Sequence, residues 1–125
     1  MTEIDYYEIE GEQSTSSANI WEDKLVRSGF VKAGDYIVFG IGELKGALTN
    51  KFIACRMLVI LEGGGEYTVN ETQFVPNNVN NWGQFIAFRK HNLPEGTHTL
   101  KIQLKGETAS QIATIRRARV RLLKY

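Results

Sequence analysis

A row of four arginines near the end of the sequence is its most distinctive charged feature: Arg116, Arg117, Arg119 and Arg121. Guanidinium groups bind carboxylates and phosphates through paired hydrogen bonds. Alternate residues of a strand project to the same side about 7 Å apart, so Arg117, Arg119 and Arg121 would form a ladder. Such a ladder could bind nucleic acid, an acidic partner, or acidic strands of the same chain.

The charge distribution favours acidic protein over nucleic acid. The formal net charge is only +1, and no aromatic side chain is interleaved with the arginines, as a base-stacking platform would require. Residues 1–25 carry seven acids and one lysine, whereas residues 100–125 carry seven bases and one glutamate. We therefore predict that the arginines pair with acids of the first segment, in the same or a neighbouring subunit. Direct contact with nucleic acid is the less favoured alternative.

A second constellation, at Trp82, could bind a sugar by ring stacking and amide hydrogen bonds. Trp82 follows an asparagine-rich stretch that contains Asn77, Asn78, Asn80 and Asn81. The alternative is that the tryptophan anchors the core or an interface. We favour that alternative, because buried anchoring is the commoner use of tryptophan.

Motifs for catalysis and for metal binding are missing from the sequence. It contains no G-x-S-x-G, Walker A or H-E-x-x-H motif. The single cysteine, Cys55, excludes an internal disulfide and a cysteine-based zinc site. We place His98 on the apolar face of a strand, as a hydrogen-bonded core or interface residue, and His91 in a solvated loop before Pro94. We predict a protein that is not an enzyme, with no catalytic residue, no metal and no cofactor.

The glycines of the segment Gly40–Gly46 resemble a nucleotide-binding loop only in part. Their spacing is G-x-G-x-x-x-G, and the following segment reads as a strand. Without a helix N-terminus such a loop has no phosphate site. We therefore predict a β-turn or a bulge here.

Strand periodicity runs through the whole chain. In residues 96–106, for example, His98, Leu100, Ile102 and Leu104 alternate with polar residues. In the last segment Ala118, Val120 and Leu122 oppose the arginines, but Ile115 is out of phase, which predicts a bulge near Arg116. Roughly eight strands at short intervals predict an all-β fold, a single antiparallel β-sandwich of jelly-roll type.

Two runs, Tyr36–Ile41 and Phe52–Leu61, are apolar at nearly every position. Such strands are covered on both faces. We predict that a neighbouring subunit supplies the second cover in a homotrimer; cover by the chain's own loops or N-terminal arm is the alternative.

The first residues differ in composition from the rest. We divide the chain into residues 1–18, an acidic N-terminal arm or edge strand, and residues 19–125, the sandwich domain. The arm lacks a basic n-region, and no apolar run reaches about 18 residues, so we predict neither a signal peptide nor a membrane span. Its apolar side chains could dock on a partner as an added strand; they are Ile4, Tyr6, Tyr7 and Ile9.

The later part of the sequence resembles known proteins. The segments HNLPEGTHTLKIQLKG and ATIRRARVRLLKY resemble the last strands of jelly-roll domains in tailed-phage virion proteins, including capsid decoration (cement) proteins. The segment KAGDYIVF is similar to the first core strand of trimeric C1q/TNF-like jelly rolls. The resemblance implies a bacteriophage structural protein on the capsid surface, made in the host cytoplasm. Its expected partners are the major capsid protein or other virion subunits. The alternative is a carbohydrate-binding β-sandwich module on a tail or adhesive structure.

Overall fold

Nine β-strands and no helix form the protein in the computed structural model, which describes residues 2–125. Within that range no helix has the length and apolarity that a membrane crossing would need. The strands are β1 (Thr2–Ile9), β2 (Gln13–Ser14), β3 (Glu22–Val31), β4 (Gly34–Gly46), β5 (Ile53–Ile60), β6 (Glu66–Phe74), β7 (Gly83–Leu93), β8 (Gly96–Gly106) and β9 (Ala113–Lys124).

The strands form two antiparallel sheets packed face to face. The larger sheet has the order β1-β9-β4-β7, and the short β2 also pairs with β9; the smaller sheet has the order β3-β8-β5-β6. The chain passes from one sheet to the other in the jelly-roll order, with two interleaved Greek keys. The predicted fold is confirmed, and the ninth strand is the two-residue β2.

The core lies between the inner faces of the sheets. Its members alternate along the strands; Val38, Met57 and Ile102, for example, are fully buried. The apolar run of β5 also has buried residues on its outer face, where Ala54 is 1% and Leu58 is 2% exposed. Because this burial occurs within one chain, β5 needs no neighbouring subunit as a second cover.

A β-bulge interrupts the pairing of β4 with β9. The register shifts between Ile41 and Glu43, and Arg117 adopts the left-handed conformation with φ of 52°. Gly42 is packed so closely that a Cβ atom there would lie 2.7 Å from Cδ1 of Ile115. The bulge predicted near Arg116 is confirmed. The segment Gly40–Gly46 is the second half of β4 and contains no turn, but the register shift lies within it, so the bulge is present and the turn is not.

The first and last segments lie side by side in the larger sheet. Tyr6 pairs with Arg121 and Glu8 pairs with Arg119 in the antiparallel register of β1 and β9. The link from β2 to β3 is held by Glu22, whose carboxylate accepts hydrogen bonds from the backbone N–H groups of Ser16 and Ser17 at 2.9 and 3.0 Å. Burial alone would raise the pKa of Glu22, but these two N–H donors lower it.

The two histidines have different environments. His98 is buried; its Nδ1 accepts the N–H of Glu62 at 3.1 Å, and its Nε2 donates to the carbonyl of Pro94 at 2.6 Å. The predicted hydrogen-bonded core role of His98 is confirmed. The prediction for His91 was wrong, because this residue lies in β7 and is half-buried, with its ring centroid 5.4 Å from that of Tyr67. Burial lowers the pKa of His91, and the charge of Arg89 lowers it further.

Candidate interaction face of the larger sheet

The outer face of the larger sheet, turned away from the core, carries an ion-paired region along β1 and β9. Arg119 Nε lies 3.2 Å from Glu8, Arg119 Nη2 lies 3.7 Å from Glu10, and Arg121 Nε lies 3.5 Å from Glu3. The acids all belong to the first segment, and the pairs form within one chain. Two of the four arginines, Arg119 and Arg121, are therefore paired with acids of the first segment.

At the bulge, Arg116 and Arg117 form ion pairs with a different strand, β4. Nη2 of Arg116 and Nη1 of Arg117 each donate to a different carboxylate oxygen of Glu43, both at 3.1 Å. Burial alone would raise the pKa of Glu43, but the two guanidinium groups lower it. Glu43 lies outside the acidic first segment, so for these two arginines the expected source of carboxylates was wrong.

An apolar strip lies beside the charged rows, on β4 and β7. We define it by Phe39, Ile41, Ile86 and Phe88, which form cross-strand pairs on the outer face. Phe88 is 61% and Ile86 is 53% exposed, and the rings of Phe39 and Phe88 meet edge to face at 6.3 Å. Sequence reasoning missed this strip, because both faces of β7 are apolar and periodicity alone does not say which one is covered.

A depression of about 410 Å³ opens between the apolar strip and the bulge. Its floor contains Ile41 and Ile86, and polar side chains surround it: Glu43, Gln84, Arg117 and Arg119. The depression combines an apolar floor with guanidinium donors at the rim. Such a site can bind a carboxylate that is attached to an apolar surface.

The N-terminal side chains that we expected to dock together lie on different sides of β1. Tyr6 is on the outer face, where Arg121 covers its ring at 5.2 Å and its hydroxyl donates to Glu8 at 2.6 Å. Ile9 packs against the core. Ile4 and Tyr7 are exposed, and Ile4 lines a cleft between the two sheets. Within residues 2–125, therefore, these four side chains do not form one surface.

Trp82 lies over cations of the outer face. The guanidinium carbon of Arg116 is 3.9 Å, and Nζ of Lys45 is 4.8 Å, from the centre of its ring. Next to Trp82 is a depression of about 260 Å³ lined in part by Asn77, Asn78 and Asn81. Asn80 is not part of its lining; its backbone N–H donates to Oδ1 of Asn78 at 2.8 Å. The structure thus brings together Trp82 and most of the predicted amides.

Among residues 2–125 there is no cluster of three His, Cys, Asp or Glu side chains that could hold a metal ion. Cys55 is buried, and burial raises the pKa of its thiol, which keeps it protonated. The outer face of the larger sheet, with its apolar strip beside charged side chains, is suited to binding a partner.

Comparisons with known proteins agree with the fold. No protein-family model matches the sequence, and no curated protein matches it. A chain in the structure of infectious bursal disease virus Gt strain has a TM-score of 0.63 at 9% identity, over 96% of this chain and 33% of that chain. The Gx strain gives a TM-score of 0.62 at 8% identity, over 96% of this chain and 32% of that chain. The protein thus spans about one third of the viral chains that it matches.

A carbohydrate-binding structure also has a similar shape. It is the CBM22-1 xylan-binding domain from Paenibacillus barcinonensis Xyn10C, with a TM-score of 0.48 at 16% identity, over 96% of this chain and 86% of that chain. At 8–9% identity, the two viral similarities show the β-sandwich fold alone.

Proposed function

We propose that this chain is a virion structural protein without enzymatic activity, most concretely a capsid decoration protein that stabilises the outer shell through contacts between subunits. The observation that carries the proposal is the apolar strip. Isolated exposed apolar residues are ordinary, but a contiguous patch rimmed by polar residues is typical of a protein interface.

The surroundings of the strip support a protein partner. The strip lies on β4 and β7, two long paired strands of the larger sheet, so its side chains are held on a rigid surface. Ion pairs of Arg117, Arg119 and Glu43 border it, which gives an apolar centre and a polar rim. The virion setting is supported by the sequence resemblance to decoration proteins. We expect the major capsid protein or other virion subunits as partners, and a homotrimer as the assembled form.

The direct test is cosedimentation of the protein with shells of the major capsid protein encoded alongside it. Phe88→Ser should weaken binding at least about tenfold, because burial of a phenylalanine side chain contributes roughly 1.5–3 kcal/mol. Phe30→Ser is the matched control: Phe30 is 63% exposed, close to the 61% of Phe88, but it lies in β3 of the smaller sheet. The control should bind normally. Equal binding by both variants, or no binding by the parent protein, would contradict the proposal.

A second candidate function, carbohydrate binding, is favoured by the depression between Trp82 and the asparagines. Stacking on the indole and hydrogen bonds from Asn78 and Asn81 could hold a sugar ring. The test is a titration with a panel of neutral oligosaccharides, followed by indole fluorescence in a Trp21→Phe background. Trp82→Ala, which lacks the reporting indole and is therefore measured by isothermal titration calorimetry, should abolish any binding. Asn80→Ala should change binding little, since Asn80 is outside the lining. If no oligosaccharide alters the fluorescence, this candidate fails.

A further inference from the structure

A cleft of about 240 Å³ lies between the two sheets on the side of the sandwich where β1 and β3 are the edge strands. We call it the side cleft. Some of its lining residues belong to the core; Leu93 is 1% and Leu122 is 5% exposed. Six of the lining side chains are apolar: Ile4, Phe30, Val31, Leu93, Leu100 and Leu122. The side cleft therefore gives a molecule from outside access to apolar surface between the sheets.

The polar groups of the side cleft carry no net charge. Asp5 and Arg27 are the charged residues of its lining, and they pair with each other, since Nε and Nη2 of Arg27 contact the carboxylate of Asp5. His98 also lines the cleft, but both of its ring nitrogens are hydrogen-bonded within the chain. A molecule that enters thus meets one ion pair, which offers a carboxylate acceptor and the Nη1 donor of Arg27 side by side.

Gly29 leaves space in the side cleft that the fold does not require. It pairs with His98 in the register of β3 and β8, so a side chain at this position would point inward, as that of His98 does. An added Cβ would meet only Oδ2 of Asp5, at an ordinary contact distance of 3.5 Å. The backbone of Gly29 is not left-handed, and the register shift of β3 lies elsewhere, between Asp23 and Leu25.

A glycine inside a strand has a cost that needs a reason. It weakens the strand, and it typically marks a bulge, a bend or the close approach of a ligand. Neither a bulge nor a left-handed backbone is present at Gly29. The close approach of a ligand is the reason that agrees with the open space in front of Gly29.

We infer that the side cleft binds a small neutral amphiphile, with a hydrocarbon body between the sheets and a hydroxyl group at the ion pair of Asp5 and Arg27. The hydrocarbon matches the apolar lining, while the hydroxyl accepts a hydrogen bond from Arg27 and donates one to Asp5. A carboxylate head would lie beside the carboxylate of Asp5, and an ammonium head beside the guanidinium of Arg27. A net charge on the head therefore weakens binding.

The size of the side cleft limits the length of the ligand. Its volume of about 240 Å³ equals that of roughly eight molecules of liquid water, at about 30 Å³ each. A ligand of about ten non-hydrogen atoms has a comparable volume. Octanol, which has an eight-carbon chain and a hydroxyl head, is a suitable probe.

Titration with octanol tests the inference, and the amide resonances of the isotope-labelled protein locate the binding. We expect saturable shifts at residues 27–31, Leu93 and Leu100, with a dissociation constant below about 1 mM. Octanoate and octylammonium have the same chain but a charged head. Each should bind at least about tenfold more weakly than octanol.

Substitution of Gly29 tests whether the ligand uses the open space. Gly29→Leu fills part of the side cleft and should weaken octanol binding at least about tenfold, with folding checked by circular dichroism. Gly11→Leu is the matched control, because an added Cβ at Gly11 meets no heavy atom within 4 Å and Gly11 is outside the lining; it should bind octanol like the parent protein. Gly29→Ala should keep its Tm or raise it by up to about 5 °C, since alanine is less costly than glycine in a strand.

Several results would overturn the inference. They are shifts that do not saturate or that lie outside the side cleft, equal binding of octanol and octanoate, normal octanol binding by Gly29→Leu, and a lower Tm of Gly29→Ala, which would show that the fold itself requires the glycine. Displacement of octanol by capsid shells would make a side chain of the shell the occupant and would also overturn it. The side cleft shares no residue with the apolar strip, so the shell-binding test of Phe88→Ser can succeed or fail independently.

Discussion

The carboxylate of Asp5 in β1 is held by two donors of Arg27 in β3, and the pair thereby joins the two sheets. Nε of Arg27 lies 3.2 and 3.1 Å from the two oxygens of Asp5, and Nη2 lies 2.9 Å from one of them. Most other side chains of β1 are exposed, so its attachment depends on the backbone pairing with β9 and on ion pairs. This bridge closes the open side of the sandwich next to the edge strand.

Removal of the bridge should loosen β1 without unfolding the protein. For Arg27→Ala we expect a loss of at most about 1 kcal/mol of stability, because the pair is partly solvent-exposed. Amide hydrogen exchange in residues 2–9 should accelerate, while that of β5 and β8 stays slow. Exchange measured by mass spectrometry checks this. If exchange accelerated equally throughout the protein, β1 would be an integral part of the cooperative core.

Local sequence patterns predicted the strands, because strand periodicity is a property of neighbouring residues. The bulge was also predictable, since Ile115 falls out of phase with Ala118 and Val120. The shared carboxylate of Glu43 was not, because its contact with Arg116 requires β4 to lie beside β9, and strand order is not encoded in local alternation. The apolar strip was missed for a related reason: Phe85 and Phe88 are on opposite faces of β7, and only the three-dimensional packing distinguishes them.

The Glu43 pairs should give the protein a measurable sensitivity to acid. Arg116 and Arg117 hold the folded-state pKa of Glu43 below the ordinary value of 4.5. A carboxyl group with a lowered folded pKa contributes stability above its unfolded pKa, and this contribution is lost as the pH falls through the lowered value. Glu43→Gln should therefore lower Tm at about pH 6, and the difference from the parent protein should shrink at about pH 3. Thermal melts at both pH values provide the measurement; a constant difference would mean that the charge of Glu43 is not responsible.

The end of β8 is tightly packed, and one glycine there has no room for a side chain. A Cβ atom at Gly106 would lie 1.9 Å from the backbone oxygen of Gln111. Because a backbone atom is in the way, Gly106→Ala must displace the loop between β8 and β9, and we expect a loss of about 1–3 kcal/mol. This corresponds to a fall in Tm of roughly 4–11 °C.

Gly11→Ala is the matched control for Gly106→Ala, because an added Cβ at Gly11 would meet no heavy atom within 4 Å. Its free energy of unfolding should stay within a few tenths of a kcal/mol of that of the parent protein or rise slightly. Differential scanning calorimetry of Gly106→Ala and Gly11→Ala compares their melting temperatures. Equal values would show that the loop between β8 and β9 shifts with little loss of stability.

The arginine row gives a prediction about association. Arg119 pairs with Glu8 and Glu10 in the same chain, and partly exposed pairs of this kind are worth about 0–1 kcal/mol, so Arg119→Ala should barely change folding. Replacement of Arg117, Arg119 and Arg121 together by alanine leaves Glu3, Glu8 and Glu10 without these partners beside the apolar strip. We expect the triple variant to bind shells more weakly than the parent protein, and the difference to diminish as salt increases. Shell cosedimentation across a salt series measures both effects. Binding that is unchanged and independent of salt would place the arginines outside the interface and leave them a role within the sheet only.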